Sequence, residues 1–174
     1  LLELIQLQKE DNLFILGDMI NRGNHTKKVI KTIRKLIKEG YHIYPIRGNH
    51  EQYLLAALKK NDSADFYKFC KRLNMQWLFY KDSKVLKQKY ADFFTSLPFY
   101  YDLGNRLLSH AGFDFSNENY LENTYAMLHQ RMFTNIERIP NTIKIIHGHT
   151  PISLKIIKQS IDLNQSIINI DNGC

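Results

Sequence analysis

This chain has few cysteines, few prolines and no long apolar run. Its two cysteines, Cys70 and Cys174, lie far apart and form no CxxC pair, which argues against a disulfide scaffold and for reduced thiols in a cytoplasmic protein. No apolar stretch approaches the roughly 18 residues that a membrane-spanning helix needs. The first residues carry neither a basic start nor a small-residue cleavage site, so the sequence predicts no secretory signal.

The chain has fewer acidic than basic residues. The 17 Asp and Glu residues face 24 Lys and Arg residues, which gives a formal net charge of +7 and favours anionic partners. The lysines are spread along a predicted helix, notably Lys27, Lys28, Lys31, Lys35 and Lys38. Because no aromatic residues interleave with them on one face, this pattern indicates a solvated helix surface rather than a nucleic-acid interface.

Proline and glycine are too scarce and scattered to form a linker. A length of 174 residues and a hydrophobic content of 44% therefore predict a single domain over residues 1–174 with a substantial core. The chain opens without Met, in what reads as the end of an amphipathic helix over residues 1–8. We expect truncation at the N-terminus and leave truncation at the C-terminus open.

The order of apolar patterns predicts an α/β fold. Runs of strand length fall at residues 13–16, 41–46, 142–146, 154–157 and 167–170. Helical periodicity covers residues 26–39, capped by Thr26 and ended by Gly40, and residues 51–60 and 121–131. Residues 99–109 predict a hairpin. We expect an α/β sandwich of mixed β-sheets flanked by helices, with a helical insert between about residues 61 and 97.

Short clusters that place Asp, Asn or His beside Gly follow the predicted strands in a fixed order. They are Gly17–Gly23, Arg47–Glu51, Ser109–Gly112 and His147–Thr150. Ligands of open α/β sheets collect beyond the carboxyl ends of the strands, so we expect these clusters to meet at one edge. Together they indicate a site that holds metal ions and phosphate.

The candidate metal ligands are a carboxylate, an amide carbonyl and two imidazoles, which belong to Asp18, Asn49, His110 and His149. Mixed oxygen and nitrogen donors suit manganese, iron or zinc rather than calcium. A carboxylate can bridge two ions, and paired ions polarise phosphoryl oxygens and generate a hydroxide nucleophile.

Two further residues are candidates for catalysis. Arg22 lies in a turn of Asn and Gly, where a guanidinium can grip phosphate oxygens in a bidentate manner. His50 is next to a candidate ligand, and an imidazole there can protonate a leaving alkoxide.

These motifs resemble the metal-dependent phosphoprotein phosphatases, a family within the calcineurin-like metallophosphoesterases. Its pattern is DxH, GDxxDRG, GNHE, His-[AG]-Gly and a late GH. The spacing and the insert are most similar to the small bacterial branch, which includes serine/threonine phosphatases and symmetrical diadenosine tetraphosphatases. The resemblance implies a metallophosphatase-like fold and hydrolysis of phosphate monoesters by a metal-bridged hydroxide.

The resemblance also implies roles for the metal ligands. Asp18 becomes the bridging ligand of two divalent ions, with manganese expected first and iron or zinc as alternatives. Asn49, His110 and His149 become ligands of the second ion. The family's DxH motif is missing, and we expect it upstream of Leu1.

The remaining site residues follow from the same resemblance. His50 becomes the general acid and Arg22 the phosphate clamp. Arg131 resembles a second phosphate-binding arginine, although the family often has Trp where His129 stands. Asn21 replaces an Asp of the family, and an amide beside the catalytic imidazole adds no negative charge, so the general acid is expected to be weaker.

Other polar residues of the motifs are expected to support the site rather than to act in it. His147 alternates with His149 and so faces the other way, which predicts a structural or ligand-supporting role. Glu51 is expected to support its loop or helix start. His25, His42 and His129 are expected to be surface or packing residues.

Three functions stay open. The leading one is a metallophosphoesterase similar to phosphoserine/phosphothreonine protein phosphatases, and the second is a dinucleoside polyphosphate hydrolase of the same branch. The third, supported by Asn21 and the missing DxH motif, is a catalytically decayed phosphate-binding or scaffold protein. The expected partner is a phosphorylated protein, small molecule or nucleotide, and neither a membrane nor a nucleic acid.

Overall fold

The structure, a computed structural model, describes residues 4–21, 23–60, 62–81 and 83–173. Arg22 and Cys174 lie outside the described residues, so the phosphate clamp expected at Arg22 has no structural test.

The first sheet consists of two parallel strands. Strand β1 (Asn12–Ile15) pairs with β2 (His42–Pro45). Helix α1 (Thr26–Lys38) is the crossover that parallel pairing requires, and Gly40 with φ 83° follows its end. The first predicted strand, helix and strand are therefore confirmed, with boundaries that shift by one or two residues.

The predicted helical insert is confirmed. After α2 (Asn49–Lys60) come α3 (Ser63–Arg72), a short 3-10 turn at Gln76–Leu78 and α4 (Gln88–Ser96). The Asp62 carboxylate caps α3 by accepting from two backbone N–H groups of its first turn. The buried aromatic side chains of the insert pack with aliphatic side chains of the first sheet into one core.

The second sheet is mixed, as the hairpin and the later apolar runs predict. Its strands are β3 (Tyr100–Asp102), β4 (Arg106–Ser109), β5 (Lys144–His147) and β6 (Ile167–Asn169). They lie in chain order; β3 runs antiparallel to β4, and the other neighbours are parallel. A second core lies against this sheet.

The predicted strand at residues 154–157 is wrong. This segment begins helix α6 (Leu154–Asp162), which Ser153 caps through a hydrogen bond from the Ile156 N–H at 3.4 Å. Strands β5 and β6 are parallel neighbours, and such strands need a crossover, which α6 supplies. The apolar run therefore belongs to the connection rather than to the sheet.

Three other predictions need correction. Residues 4–6 form a turn with Gln6 at φ 48°, not the end of a helix. Thr26 is the first helical residue, and its hydroxyl donates to the Gly23 carbonyl at 3.1 Å instead of capping the helix. The helix expected at residues 121–131 is the shorter α5 (Thr124–His129), which Asn123 caps. Among the described residues, no helix is long and apolar enough to cross a bilayer.

Candidate metal centre

The four candidate ligands come from the carboxyl ends of strands in both sheets. Asp18 lies shortly after β1, and Asn49 begins α2 just beyond β2. His110 follows β4 directly, and His149 lies two residues beyond β5. The parallel direction of these strands within each sheet brings the four side chains together, as the sequence predicts.

Two glycines let the loops after β1 and β2 touch. A Cβ on Gly17, which has φ 86°, would lie 2.6 Å from the Gly48 Cα. A Cβ on Gly48 would overlap the backbone nitrogen of Asp18. Only residues without a side chain permit this approach, which sets Asp18 beside Asn49.

Glu51 ties these loops together from within. One oxygen of its fully buried carboxylate, Oε2, accepts from the backbone N–H of Asp18 and of Gly48, each at 2.9 Å. Desolvation, then the charge of Asp18, raises the pKa of Glu51 to about 7. The support expected from Glu51 therefore takes the form of a buried bridge between two site loops.

His110 presents a lone pair to the centre of the cluster. Its Nδ1 lies 2.7 Å from the Leu16 carbonyl oxygen, which can only accept, so Nδ1 carries the proton. In the neutral ring Nε2 is then unprotonated; it lies 3.0 Å from Nδ1 of His149 and 3.5 Å from Oδ1 of Asp18. Desolvation is the main reason that the pKa of His110 lies below its ordinary value, which keeps the ring neutral.

The amide of Asn49 shows why this cluster fits a cation. Its oxygen faces the lone pair of His110 Nε2 at 3.2 Å and the carboxylate of Asp18. Without a positive charge between them the amide would turn over, because its nitrogen would then donate to Asp18 Oδ1 at 3.0 Å. Converging lone pairs of a carboxylate, an amide and imidazoles form a metal-ligand set.

His149 completes the set. One ligand atom each from Asp18, His110 and His149 lies within 4.8 Å of the others. Desolvation, then the charges of His110 and Arg131, lowers the pKa of His149 to about 4, so its imidazole is neutral at pH 7 and free to bind a metal. Its Nε2 is buried and has no hydrogen-bond partner among the described residues.

His50 lies beside the ligands with a defined tautomer. The Asn21 amide nitrogen lies 2.8 Å from His50 Nδ1, and since the amide NH₂ donates, Nδ1 accepts. The proton of the neutral ring is therefore on Nε2, which lies 3.6 Å from Oδ2 of Asp18. Asn21 therefore contacts the ring of His50, and in this neutral tautomer the proton-bearing nitrogen faces the cluster.

Of the other predicted site residues, Arg131 lies at the edge of the ligand cluster and His147 lies apart from the ligand atoms. Arg131 is exposed just after α5, and its charge contributes to the lowered pKa of His149, so it lies at the edge of the cluster. His147 is buried, packs on the Phe133 ring at 4.9 Å and has its Nδ1 3.0 Å from the Gly148 carbonyl oxygen. Its ring thus packs beneath the strand end, apart from the converging ligand atoms.

Sequence reasoning missed a row of rings outside the ligands. His129, expected to be a surface or packing residue, lies between Tyr53 and Tyr125, with ring centroids 5.9 Å and 4.7 Å away. The sequence spacing shows that Tyr53 shares a helix face with His50, and that Tyr125 shares one with His129. It does not show that the two faces lie next to each other in the folded chain.

An α/β fold with a metal-competent cluster at its strand ends is typical of metal-dependent hydrolases. The family model of the calcineurin-like phosphoesterases matches residues 1–167, and the chain belongs to this family. The resemblance inferred from the motifs is confirmed.

The chain is also similar to a symmetrical bis(5'-nucleosyl)-tetraphosphatase of Acidovorax ebreus (strain TPSY). The two are 45% identical over 47 residues, which are 27% of this chain and 16% of that protein. The chain thus aligns with less than a fifth of the relative's length.

Proposed function

We propose that this protein is a metal-dependent hydrolase of phosphoric esters or anhydrides. The observation that carries the proposal is the convergence of the side chains of Asp18, Asn49, His110 and His149, all of metal-ligand types, at one edge of the fold. Membership of the calcineurin-like phosphoesterase family supports it.

Asp18, Asn49, His110 and His149 would hold a divalent ion, with manganese as the first choice and iron or zinc as alternatives. The expected total of two ions rests on the family resemblance. When bound, such ions supply Lewis-acid activation of water and of the phosphoryl group. The side chains contribute order: Glu51 fixes the loop that carries Asp18, and the Leu16 carbonyl fixes the ring of His110.

The chain's own proton donor is His50. As the oxygen of water bonds to phosphorus and the bond to the leaving oxygen breaks, the imidazolium form of His50 would pass its Nε2 proton to the leaving oxygen and become neutral, and the proton released by the water would return to the ring through solvent. In the imidazolium form Nδ1 also carries a proton, which the Asn21 amide would accept with its oxygen turned toward the ring. The Asn21 amide holds the opposite side of the ring at 2.8 Å, which directs Nε2 toward Asp18. Arg131, and Arg22 on the sequence evidence, would neutralise the phosphate oxygens.

Two substrate classes compete. The relative from Acidovorax ebreus favours a dinucleoside polyphosphate. The phosphoserine or phosphothreonine of a protein is the alternative that the motifs support equally. Hydrolysis of either substrate needs the same metal cluster, so only a comparison of the two substrates can distinguish the two functions.

The test compares turnover of the manganese-loaded protein on diadenosine tetraphosphate, whose symmetrical cleavage gives two ADP molecules, and on a phosphoserine peptide. We expect the higher kcat/KM with the dinucleotide. Substitution His149→Ala should weaken manganese binding at least about tenfold, whereas His42→Ala, at an exposed position of β2, should not. Turnover of neither substrate with manganese bound would refute the proposal and favour a scaffold role.

A further inference from the structure

Three rings lie at the edge of the metal cluster, and two of them are unusually exposed. Tyr53 is 51% exposed and Tyr125 is 74% exposed, and His129 lies between them. Side chains this exposed bury little apolar surface, so packing alone gives little reason for large rings here.

Two helices bring the rings together. Tyr53 follows His50 by three residues on α2, so the two side chains lie on one face of that helix, with ring centroids 6.4 Å apart. Tyr125 and His129 are four residues apart on α5 and share a face in the same way. The contact between Tyr53 and His129 joins the two faces into one row.

The row is continuous with the candidate catalytic groups. It meets the proton donor through His50, and it meets the ligands through His129, whose ring centroid lies 6.4 Å from that of His149. Arg131 lies two residues beyond the end of α5, and its charge acts on His149. A phosphate held at the cluster would therefore place its organic substituent beside these rings.

We propose that Tyr53, His129 and Tyr125 form a stacking platform for the base of a nucleotide whose phosphate lies at the metal cluster. This inference rests on the proposed function and deepens it, since it assigns the substrate to the nucleotides. Every base has a planar π face that stacks on aromatic side chains, and the net charge of +7 favours the attached phosphates. The side chain of phosphoserine offers no ring to such a platform.

The test is a pair of ligands that differ only in the base. Binding of AMP and of ribose 5-phosphate to the manganese-loaded protein is measured by titration calorimetry. We expect AMP to bind about tenfold more tightly than ribose 5-phosphate, and the ratio of the two Kd values to fall toward one in Tyr53→Ala and Tyr125→Ala. Tyr125→Phe should keep the ratio, because stacking needs the ring and not the hydroxyl.

A matched control is Tyr80→Ala, at a 57% exposed tyrosine of the insert, and it should keep the wild-type ratio. Fluorescence of Trp77, the only tryptophan, monitors folding of every variant. Equal or undetectable binding of the two ligands by the wild type overturns the proposal, as does a ratio that both alanine variants preserve. Failure of the proposed function is distinct, because it appears as absent turnover while the ratio persists.

Discussion

Glu51 accepts a hydrogen bond from the backbone N–H of Asp18 with the same carboxylate oxygen that accepts from Gly48. The other oxygen is buried without a hydrogen-bond partner among the described residues. A carboxylate in this position holds the loops after β1 and β2 in contact, and its ionised form is destabilised by desolvation and by Asp18. Both properties lead to measurable predictions.

The first prediction concerns pH. Since the folded pKa of Glu51, about 7, exceeds its ordinary value of 4.5, the folded state binds this proton more tightly than the unfolded state. The contribution of Glu51 to the free energy of unfolding is about 3 kcal/mol. It is fully present below pH 4.5 and is lost as pH rises through 7. Glu51→Gln keeps an acceptor oxygen without the charge, so it should remove this dependence.

Urea unfolding of the metal-free protein at pH 5 and pH 8 measures how the free energy of unfolding changes with pH. This change is compared between wild type and Glu51→Gln. The lowered pKa values of His110, His147 and His149 give the opposite trend in both proteins and cancel in the comparison. Glu137→Gln, at an exposed position, is the matched control. Parallel pH profiles for wild type and Glu51→Gln would contradict the prediction.

The second prediction concerns the contact between the loops. In Gly48→Ala the new Cβ would overlap the backbone nitrogen and Oδ1 of Asp18 and lie 2.8 Å from Oε2 of Glu51. We expect a loss of about 1–3 kcal/mol in the free energy of unfolding, together with weaker manganese binding. Gly23→Ala meets nothing within 4 Å and should change neither. An unaltered unfolding midpoint for Gly48→Ala would show that the loops separate freely.

The third prediction tests the proton donor. His50→Asn should lower kcat by roughly 10²–10⁴-fold on a phosphoserine peptide and leave the metal content unchanged. The loss should be smaller on p-nitrophenyl phosphate, whose leaving group needs no proton. His42→Asn on β2 is the control. Equal losses on both substrates would assign His50 a structural role instead.

The fourth prediction concerns Asn21, whose amide nitrogen lies 2.8 Å from His50 Nδ1. A carboxylate in its place would accept from an Nδ1–H and favour the charged imidazolium. Asn21→Asp should therefore extend the alkaline limb of the pH–kcat profile to higher pH. Asn141→Asp, at an exposed position, controls for the added charge. Superimposable profiles would mean that the amide and the carboxylate act alike.

The fold was predictable where local patterns and connectivity agree. The runs that became β1, β2, β5 and β6 are short and apolar between turn residues, and the insert has helical periodicity. The prediction failed at residues 154–157, because a short apolar run suits a strand or a helix equally. The parallel pairing of β5 with β6 requires a crossover helix at this place, and that pairing is a feature of the tertiary structure.

The candidate ligands were predictable because Asp18, Asn49, His110 and His149 each follow a strand in a motif with glycine. The row of rings was not, since Tyr53 and His129 are 76 positions apart in the sequence and neither belongs to a motif. The two rings are neighbours, with centroids 5.9 Å apart, only because the fold brings these positions of α2 and α5 to the same edge.

The sequence by itself determined the family, the order of the site clusters and the choice of candidate ligands, because glycine-bounded strand ends and metal-binding side chains are local features. The tertiary structure decided which nitrogen of His50 and His110 carries the proton, how Glu51 joins two loops and which rings border the cluster. Hydrogen-bond partners and desolvation come from residues distant in the chain, and they act only after the strands have brought those residues together.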